Sequence, residues 1–190
     1  MPKTNIRHVT AQDEQPVEWF AMRDLKRSNA KTPAYKVLPE KYGIEAFTPL
    51  KWILAERAGK TERRQVPFIS DLLFVKASRF KLDPVVESIT TLQYRYVKGL
   101  AYRQPLTVRT ADMERFIKAV NSDPDPQYYS PDEITDSMLG RRVRIVGGPL
   151  DGNEGNLLAV RGSRRRRLLI EIPSLIVASV EADPQYIRFI

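Results

Sequence analysis

The chain has 190 residues, of which 42% are hydrophobic, and its net charge is +8 at pH 7. This length and apolar content suit one large or two small domains with hydrophobic cores. The absence of cysteine excludes disulfides, thiolate metal sites and cysteine nucleophiles, and the one histidine, His8, lies in a polar N-terminal stretch. Because no apolar run approaches the length of a membrane span and the first residues lack the apolar segment of a signal peptide, we expect a cytoplasmic protein without membrane contact.

The charge is unevenly distributed along the chain. Residues 16–120 carry 20 Lys and Arg against 11 Asp and Glu, and residues 137–190 carry 9 against 5. Residues 121–136 hold five acidic residues, three prolines and no basic residue, a composition that resists regular structure. We therefore predict a disordered tail (1–15), a basic domain (16–120), an acidic linker (121–136) and a second basic domain (137–190). Basic charge alone fits an ordinary solvated surface as well as a nucleic-acid footprint.

The first half of the first domain alternates strand and helix signals. The short aromatic stretch at residues 18–23 predicts a strand, and a short or kinked helix containing Pro39 follows and ends at Gly43. Residues 44–54 predict a second strand, and the basic, glycine-containing residues 56–64 predict an exposed hairpin.

The second half of this domain contains the strongest strand signal. Residues 71–77, DLLFVKA, are almost continuously apolar, as expected for a strand in a sheet that is buried on both faces. A brief helix capped by Ser78 and a strand over residues 93–98 follow. A closing helix capped by Thr110 is predicted because apolar residues then recur at helical spacing, at Met113, Phe116, Ile117 and Val120. The pattern as a whole predicts an α+β sandwich.

The second domain is organised around residues 140–155, GRRVRIVGGPLDGNEG. Val143 and Ile145 supply the apolar side of a short strand. Residues typical of tight turns follow at Gly147, Gly148, Pro149, Gly152 and Gly155. Any glycine-rich hairpin would share these turns. Each interior glycine costs a helix about 1 kcal/mol and a proline about 3 kcal/mol, so we predict a constitutive small β-barrel of about five strands rather than helices.

A run of four arginines lies between two apolar strands, at Arg164, Arg165, Arg166 and Arg167. Alternation along a strand would bury half of these side chains, which is unfavourable for guanidinium groups. We therefore place the run at a hairpin tip. Four adjacent like charges indicate an anionic partner such as DNA or RNA, with a merely solvated loop as the alternative.

The sequence gives no indication of catalysis. It has no Walker-type phosphate loop, no dinucleotide-binding fingerprint and no histidine-containing metal spacing. Asp123 and Asp125 are paired acids, but they fall in the predicted linker, where no rigid frame would hold a metal or direct a proton transfer. We expect a protein that is not an enzyme and has no cofactor.

Taken in order, these features resemble the NusG and RfaH family of transcription elongation factors. The resemblance covers residues 16–190 and rests on WFAMR, VPFISDLLFVKA, the closing helix, the acidic linker and residues 140–155, which are similar to the KOW motif. WFAMR followed by GIEAFTPL is most similar to the UpxY branch, antiterminators of capsular polysaccharide operons. The resemblance implies an NGN-like αβ sandwich with an antiparallel sheet, followed by a small SH3-like KOW β-barrel.

The resemblance also implies RNA polymerase as the partner. In this family the N-terminal domain lays an apolar patch on the clamp helices of the polymerase and suppresses pausing and termination. The matching positions here are Arg23, Ile69, Ser70, Leu72 and Phe74. Family members often have an aromatic residue, a proline or glycine, and a tyrosine where this chain has Ile69, Ser70 and Leu72. Core packing is the alternative role for the apolar residues.

Two basic clusters are candidates for contact with non-template DNA or nascent RNA. Lys26, Arg27 and Lys31 follow the first strand, where specialised family members touch the non-template strand. Arg63 and Arg64 lie in the predicted hairpin. Lys and Arg neutralise phosphates whatever the base sequence, so neither cluster predicts a target, and a solvated face is the alternative for each.

We therefore expect a monomeric elongation and antitermination factor of two domains. Its KOW-like domain is expected to recruit a second partner, such as the ribosome or another factor. The alternative is a ribosome-associated or general RNA-binding KOW protein.

Overall fold

The computed structural model describes residues 15–26, 31–57, 59–97, 99, 103–159 and 165–190. The chain divides into two compact units, Met1–Val108 and Arg109–Ile190. Among the described residues the fold is mixed α+β, with three helices and antiparallel strand pairs, which confirms the predicted class. The units separate before the helix that the sequence assigns to the end of the first domain, and not within residues 121–136.

The first unit has two helices and seven strands in its described part. They are β1 (Glu18–Asp24), α1 (Ala34–Tyr42), β2 (Glu45–Phe47), β3 (Leu50–Arg57), β4 (Lys60–Pro67), β5 (Leu73–Ala77), α2 (Arg79–Ser88), β6 (Leu92–Tyr94) and β7 (Thr107–Val108). The main sheet has the order β2-β5-β1-β6, and β7 also pairs with β1. Strands β3 and β4 pair with each other and form a separate two-stranded ribbon.

The core of the first unit forms because alternate side chains of β1 and β5 point to the same side of the sheet. That side is buried together with residues of both helices, in a cluster that includes Phe20, Met22, Leu38, Leu73, Val75 and Leu82. The intervening residues Trp19, Ala21 and Phe74 are also buried. Burial on both faces explains the continuous apolar sequence of β5, as predicted.

The two helices of the first unit begin at different kinds of cap. The predicted cap of α2 is confirmed, because the hydroxyl of Ser78 accepts a hydrogen bond from the backbone N–H of Lys81. The first helix has no side-chain cap of its own and begins after Pro33. Instead, the carboxylate of Asp24, at the end of β1, accepts a 2.6 Å hydrogen bond from the backbone N–H of Ala34. This bond fixes the start of α1 against the central strand of the sheet.

The second unit contains one helix and six strands in its described part. They are α3 (Thr110–Ser122), β8 (Gln127–Tyr129), β9 (Leu139–Ile145), β10 (Glu154–Leu158), β11 (Arg167–Ile172), β12 (Ile176–Glu181) and β13 (Ile187–Phe189). The strands form one antiparallel sheet of order β13-β9-β10-β11-β12-β8, and α3 packs against β11 and β12. Among the described residues no pairing joins β13 to β8, so the closed barrel predicted for this domain is not formed. The outer edge of β12 is instead occupied by β8.

The segment predicted as an acidic linker is largely ordered and packed. Strand β8 lies within it, and the carboxylate of Asp123 is buried at the end of α3. This carboxylate accepts hydrogen bonds from the backbone N–H groups of Asp125, at 2.8 Å, and Glu181, at 2.7 Å. Burial, followed by the charge of Asp123, raises the pKa of Tyr128 to about 12. The prediction of an irregular linker is therefore wrong for this part of the chain.

An ion pair explains why the charged segment can pack. The Nη2 atom of Arg167 lies 3.1 Å from Oδ2 of Asp123, and the two side chains are 11% and 3% exposed. Arg167 also donates to the hydroxyl of Ser179 at 2.8 Å and to the Ser179 carbonyl at 2.6 Å. These bonds offset the cost of removing both charges from water. Residue composition does not reveal such a partner, because it is distant in sequence.

We predict that Asp123→Ala destabilises the protein by about 3–5 kcal/mol, because Arg167 would remain buried without its carboxylate. Asp125→Ala is a matched control, since its side chain is exposed and only its backbone groups bond to the buried pair. It should change stability by less than about 0.5 kcal/mol. Urea denaturation of both variants tests this. Equal stabilities would show that the ion pair does not hold the segment in place.

Candidate nucleic-acid and protein interface

The five residues proposed for polymerase contact do not form one exposed patch. Leu72 is 3% exposed and Phe74 is fully buried, so neither side chain is available to a partner. Ile69 is half-buried and Ser70 is exposed in the loop between β4 and β5, while Arg23 is exposed on β1. The predicted surface role of Leu72 and Phe74 is therefore wrong. The physical reason is that Phe74 lies on β5, which is buried on both faces, and Leu72 is buried immediately before that strand.

The three remaining residues are brought together by Asp71. Its carboxylate lies 3.5 Å from Nε of Arg23 and 3.1 Å from Nη2 of Arg95. Arg95 also donates to the backbone carbonyls of Met22 and Asp71, both at 3.4 Å. Burial lowers the pKa of Arg95, and the charge of Asp71 opposes that effect. The loop that carries Ser70 is thus tied to β1, and neither Asp71 nor Arg95 was identified from the sequence.

The cluster that follows β1 is described only in part, because Arg27 lies outside the described residues. The ammonium group of Lys26 donates a 2.7 Å hydrogen bond to the carbonyl of Thr32, so its side chain is held against the chain before α1. Lys31 is exposed. Both cations remain accessible to phosphates, although Lys26 is less mobile than a free surface lysine.

The predicted hairpin is the ribbon formed by β3 and β4. Arg63 lies opposite Leu54, whereas Arg64 lies opposite Ile53, so the two arginines point to opposite faces. The guanidinium of Arg63 lies 4.6 Å from the ring centroid of Trp52 on its own face. Trp52 and Leu54 are exposed, and sequence reasoning missed both. Both lie in residues 44–54, which the sequence assigns to a strand outside the exposed hairpin, and the neighbouring apolar residues Ile53 and Ala55 leave no alternation that would mark them as exposed.

The arginine run is not a uniform exposed tip. Arg165 and Arg166 are exposed, and Arg165 lies 3.4 Å from Glu181. Arg167 begins β11 and its side chain is used by the buried Asp123 pair. The prediction that Arg167 contacts nucleic acid is therefore wrong. Arg164 lies outside the described residues.

The glycine-rich stretch forms the reversal between β9 and β10. Val143 and Ile145 are buried on β9, as predicted. The reversal is closed by hydrogen bonds from the backbone N–H of Gly152 to the Ile145 carbonyl, at 3.0 Å, and from that of Gly147 to the Asp151 carboxylate, at 2.6 Å. Pro149 lies at the turn itself.

Three glycines in and beside this reversal are required for two different reasons. Gly148 has a φ of +69° and, like Gly152 at +79°, adopts the left-handed conformation that side chains disfavour. A Cβ atom at Gly155 would collide with the backbone carbonyl oxygen of Leu169 on β11. The predicted turn role is thus confirmed for Gly147, Gly148 and Gly152 and is wrong for Gly155, which lies within β10 and is paired with Val143.

The second unit has further exposed cations that sequence reasoning did not select. The side chains of Arg142 and Arg144 on β9 are exposed. The Nε atom of Arg144 donates a 2.6 Å hydrogen bond to the carboxylate of Glu154 on β10. That bond is the main cause of the lowered pKa of Glu154. At the end of the same strand, the guanidinium of Arg141 lies 3.8 Å from the ring centroid of Phe189. Strand β9 therefore carries three arginines. The carboxylate of Glu154 compensates the charges of Arg142 and Arg144.

No protein-family model matches this chain, and no curated protein matches it. Within the described part of the chain, no group of His, Asp and Glu is arranged to hold a metal ion. No helix in that part is both long and apolar enough to cross a membrane. The function must therefore be inferred from the exposed basic, aromatic and apolar side chains.

We predict that Leu72→Ala lowers stability by about 2–5 kcal/mol, as expected for a buried leucine. Ser70→Ala, two residues earlier and exposed, should leave stability nearly unchanged. Thermal denaturation of the two variants distinguishes these roles. If Leu72→Ala were as stable as the parent protein, Leu72 would be a surface residue after all.

Proposed function

We propose that this protein is a non-catalytic transcription elongation and antitermination factor of the NusG and RfaH type, acting as a cytoplasmic monomer. In this proposal the first unit is NGN-like and binds the clamp helices of RNA polymerase, and the second unit is KOW-like. The observation that best supports it is the succession of two units, an antiparallel sheet with a basic ribbon followed by a second sheet built around a glycine-rich reversal. The UpxY-like action on capsular polysaccharide operons is part of the same proposal.

The proposed polymerase contact is the loop surface of Ile69 and Ser70 together with Arg23. Ile69 offers a partly exposed apolar side chain, and Asp71 holds Arg23 next to the loop. A partly apolar surface beside a positioned arginine suits a protein partner, since arginine and apolar anchors are common at the centres of interfaces.

The exposed cations supply contacts to DNA or RNA in this proposal. Lys26, Lys31, Arg63, Arg64, Arg165 and Arg166 are accessible or partly accessible in the two units. Contacts of this kind are electrostatic and independent of base sequence. They support retention on nucleic acid near the polymerase and do not account for the choice of a target operon.

A second candidate function is a ribosome-associated or general RNA-binding KOW protein. The observation that favours it is the arginine-rich strand β9, where Arg141 stacks on Phe189 and Arg142 and Arg144 face outward. Stacked arginine and aromatic groups are suited to RNA bases and phosphates. Under this alternative the second unit alone would retain ribosomal RNA.

We expect Ile69→Asp to weaken binding to purified RNA polymerase by about tenfold or more, because a charge would be desolvated at an apolar contact. Phe80→Asp, an equally drastic change of an exposed apolar residue on α2, should leave binding unchanged. Binding is measured with immobilised polymerase after melting curves confirm that both variants fold. Retention of ribosomal RNA without polymerase, even for the parent protein, would favour the second candidate.

Replacement of Arg165 and Arg166 by Ser should flatten the salt dependence of nucleic-acid binding. Each lost phosphate contact removes roughly 0.7 to 0.9 from the slope of log affinity against log salt concentration. Arg79→Ser serves as the control, because Asp83 already compensates that charge at 2.8 Å. An unchanged slope in the double variant would identify the two arginines as solvated groups only.

A further inference from the structure

The ribbon of β3 and β4 is an isolated element within the first unit. Its strands have eight residues each, and among the described residues neither is hydrogen-bonded to a third strand. At about 3.3 Å per residue, each strand is roughly 26 Å long. At the base of the ribbon, the backbone N–H of Phe68 donates a 2.8 Å hydrogen bond to the carbonyl of Pro49. The ribbon is therefore separate from the main sheet in its hydrogen bonding, and its exposed side chains include Trp52, Leu54 and Arg63.

The pairing register separates the side chains onto two faces. Residues directly opposite each other in an antiparallel pair point to the same side. Trp52 pairs with Gln65, Leu54 with Arg63 and Glu56 with Thr61, so these residues lie on one face, which we call the Trp52 face. The opposite face is built from Lys51, Ile53, Arg64 and Val66.

The Trp52 face carries two accessible apolar side chains. Trp52 is 47% exposed and Leu54 is 75% exposed, although both are large apolar residues. Arg63 lies 4.6 Å from the centroid of the Trp52 ring, so its guanidinium holds one side of the indole in place. Adjacent exposed apolar side chains indicate a binding surface rather than a structural need.

The charge of the ribbon indicates what kind of partner fits this face. Residues 50–67 include five basic and two acidic residues. Arg63 and Glu56 lie on the Trp52 face, and Lys51 and Arg64 lie on the opposite face, so the excess of positive charge belongs to the ribbon as a whole. An anionic partner that also offers flat apolar surfaces satisfies both properties, and single-stranded nucleic acid combines phosphates with bases that stack on aromatic rings. Duplex DNA fits less well, because its base faces are covered by neighbouring base pairs and leave the indole nothing to stack on.

We propose that the Trp52 face binds single-stranded nucleic acid by stacking a base on the Trp52 indole. Arg63 keeps the ring in position and contacts a neighbouring phosphate, while Leu54 packs against the adjacent sugar or base. Lys51 and Arg64, from the opposite face, add electrostatic attraction. This inference deepens the nucleic-acid contact in the proposed function and rests on that contact, but it does not require polymerase binding.

The first test measures the affinity of the full chain for labelled single strands of about 12 nucleotides, both oligo-dT and oligo-U, and for a duplex of equal length. Trp52→Ala should weaken binding to the single strands by about 5- to 150-fold, which corresponds to the loss of one stacked base. Trp52→Phe should retain most of the affinity. Phe80→Ala, which removes an exposed aromatic residue from α2, should have no effect.

Salt dependence separates stacking from charge in the same experiment. Trp52→Ala should lower the affinity at every salt concentration and leave the log–log slope unchanged. Arg63→Ser should reduce that slope by about 0.7, the value for one phosphate contact on a single strand. A slope change in Trp52→Ala would mean that Trp52 acts only by positioning cations, which overturns the stacking proposal.

Intrinsic fluorescence gives a direct readout of stacking. The chain has two tryptophans, and Trp19 is buried whereas Trp52 is exposed. Added oligo-dT should quench the parent protein, and the quenching should disappear in Trp52→Phe, which keeps an aromatic side chain and the fold. Equal quenching of Trp52→Phe and the parent protein would contradict the proposal.

The remaining outcomes also decide the question. Tighter binding to the duplex than to the single strands, or equal single-strand affinities for Trp52→Ala and the parent protein, would overturn the proposal. Loss of polymerase binding in Trp52→Ala with unchanged oligonucleotide affinity would assign this face to a protein partner instead. A parent chain that binds oligonucleotides through Trp52 but does not bind polymerase would contradict the proposed function and support this inference.

Discussion

The buried pair of Asp123 and Arg167 determines how the second unit is assembled. A carboxylate and a guanidinium that leave water need each other and further hydrogen bonds, and here the bonds come from the backbone of β12 and from the residues that follow α3. The pair therefore fixes the end of α3 and the entry to β8 against β11 and β12. It also takes Arg167 out of the arginine run, so Arg165 and Arg166 are what the described part of the run presents to solvent.

The features that the sequence predicts correctly depend on neighbours in sequence. The continuous apolar residues of β5, the Ser78 cap of α2 and the glycines between β9 and β10 are local signals, and each has the predicted conformation. The features that it misses depend on distant contacts. Arg167 finds its carboxylate 44 residues away, and α1 takes its cap from a strand rather than from its own first turn. No local pattern contains this information.

At the candidate site, too, the sequence predicts some features correctly and misses others, but for a different reason. Alternation identifies which residues share a face of a strand, but it does not tell whether that face is covered. Leu72 and Phe74 are apolar residues that the structure buries, whereas Trp52 and Leu54 are apolar residues that it exposes. A guanidinium lies over an exposed aromatic ring at Arg63 with Trp52 in the first unit and at Arg141 with Phe189 in the second. Such pairs suit phosphates and bases but do not by themselves read a base sequence.

The strand order of the second sheet has a consequence for synthesis of the chain on the ribosome. All strands of the first sheet lie before residue 109, so the first unit can fold once that segment has emerged. The partners of α3 and β8 are β11 and β12, which are made about 50 residues later, and Asp123 has no cation to bury against until then. The apolar side of α3 thus lacks these partners for the time needed to translate that stretch. A ribosome that stalls before residue 167 would hold a folded first unit followed by α3 with its apolar side uncovered. Such a nascent chain is a substrate for chaperones or proteases.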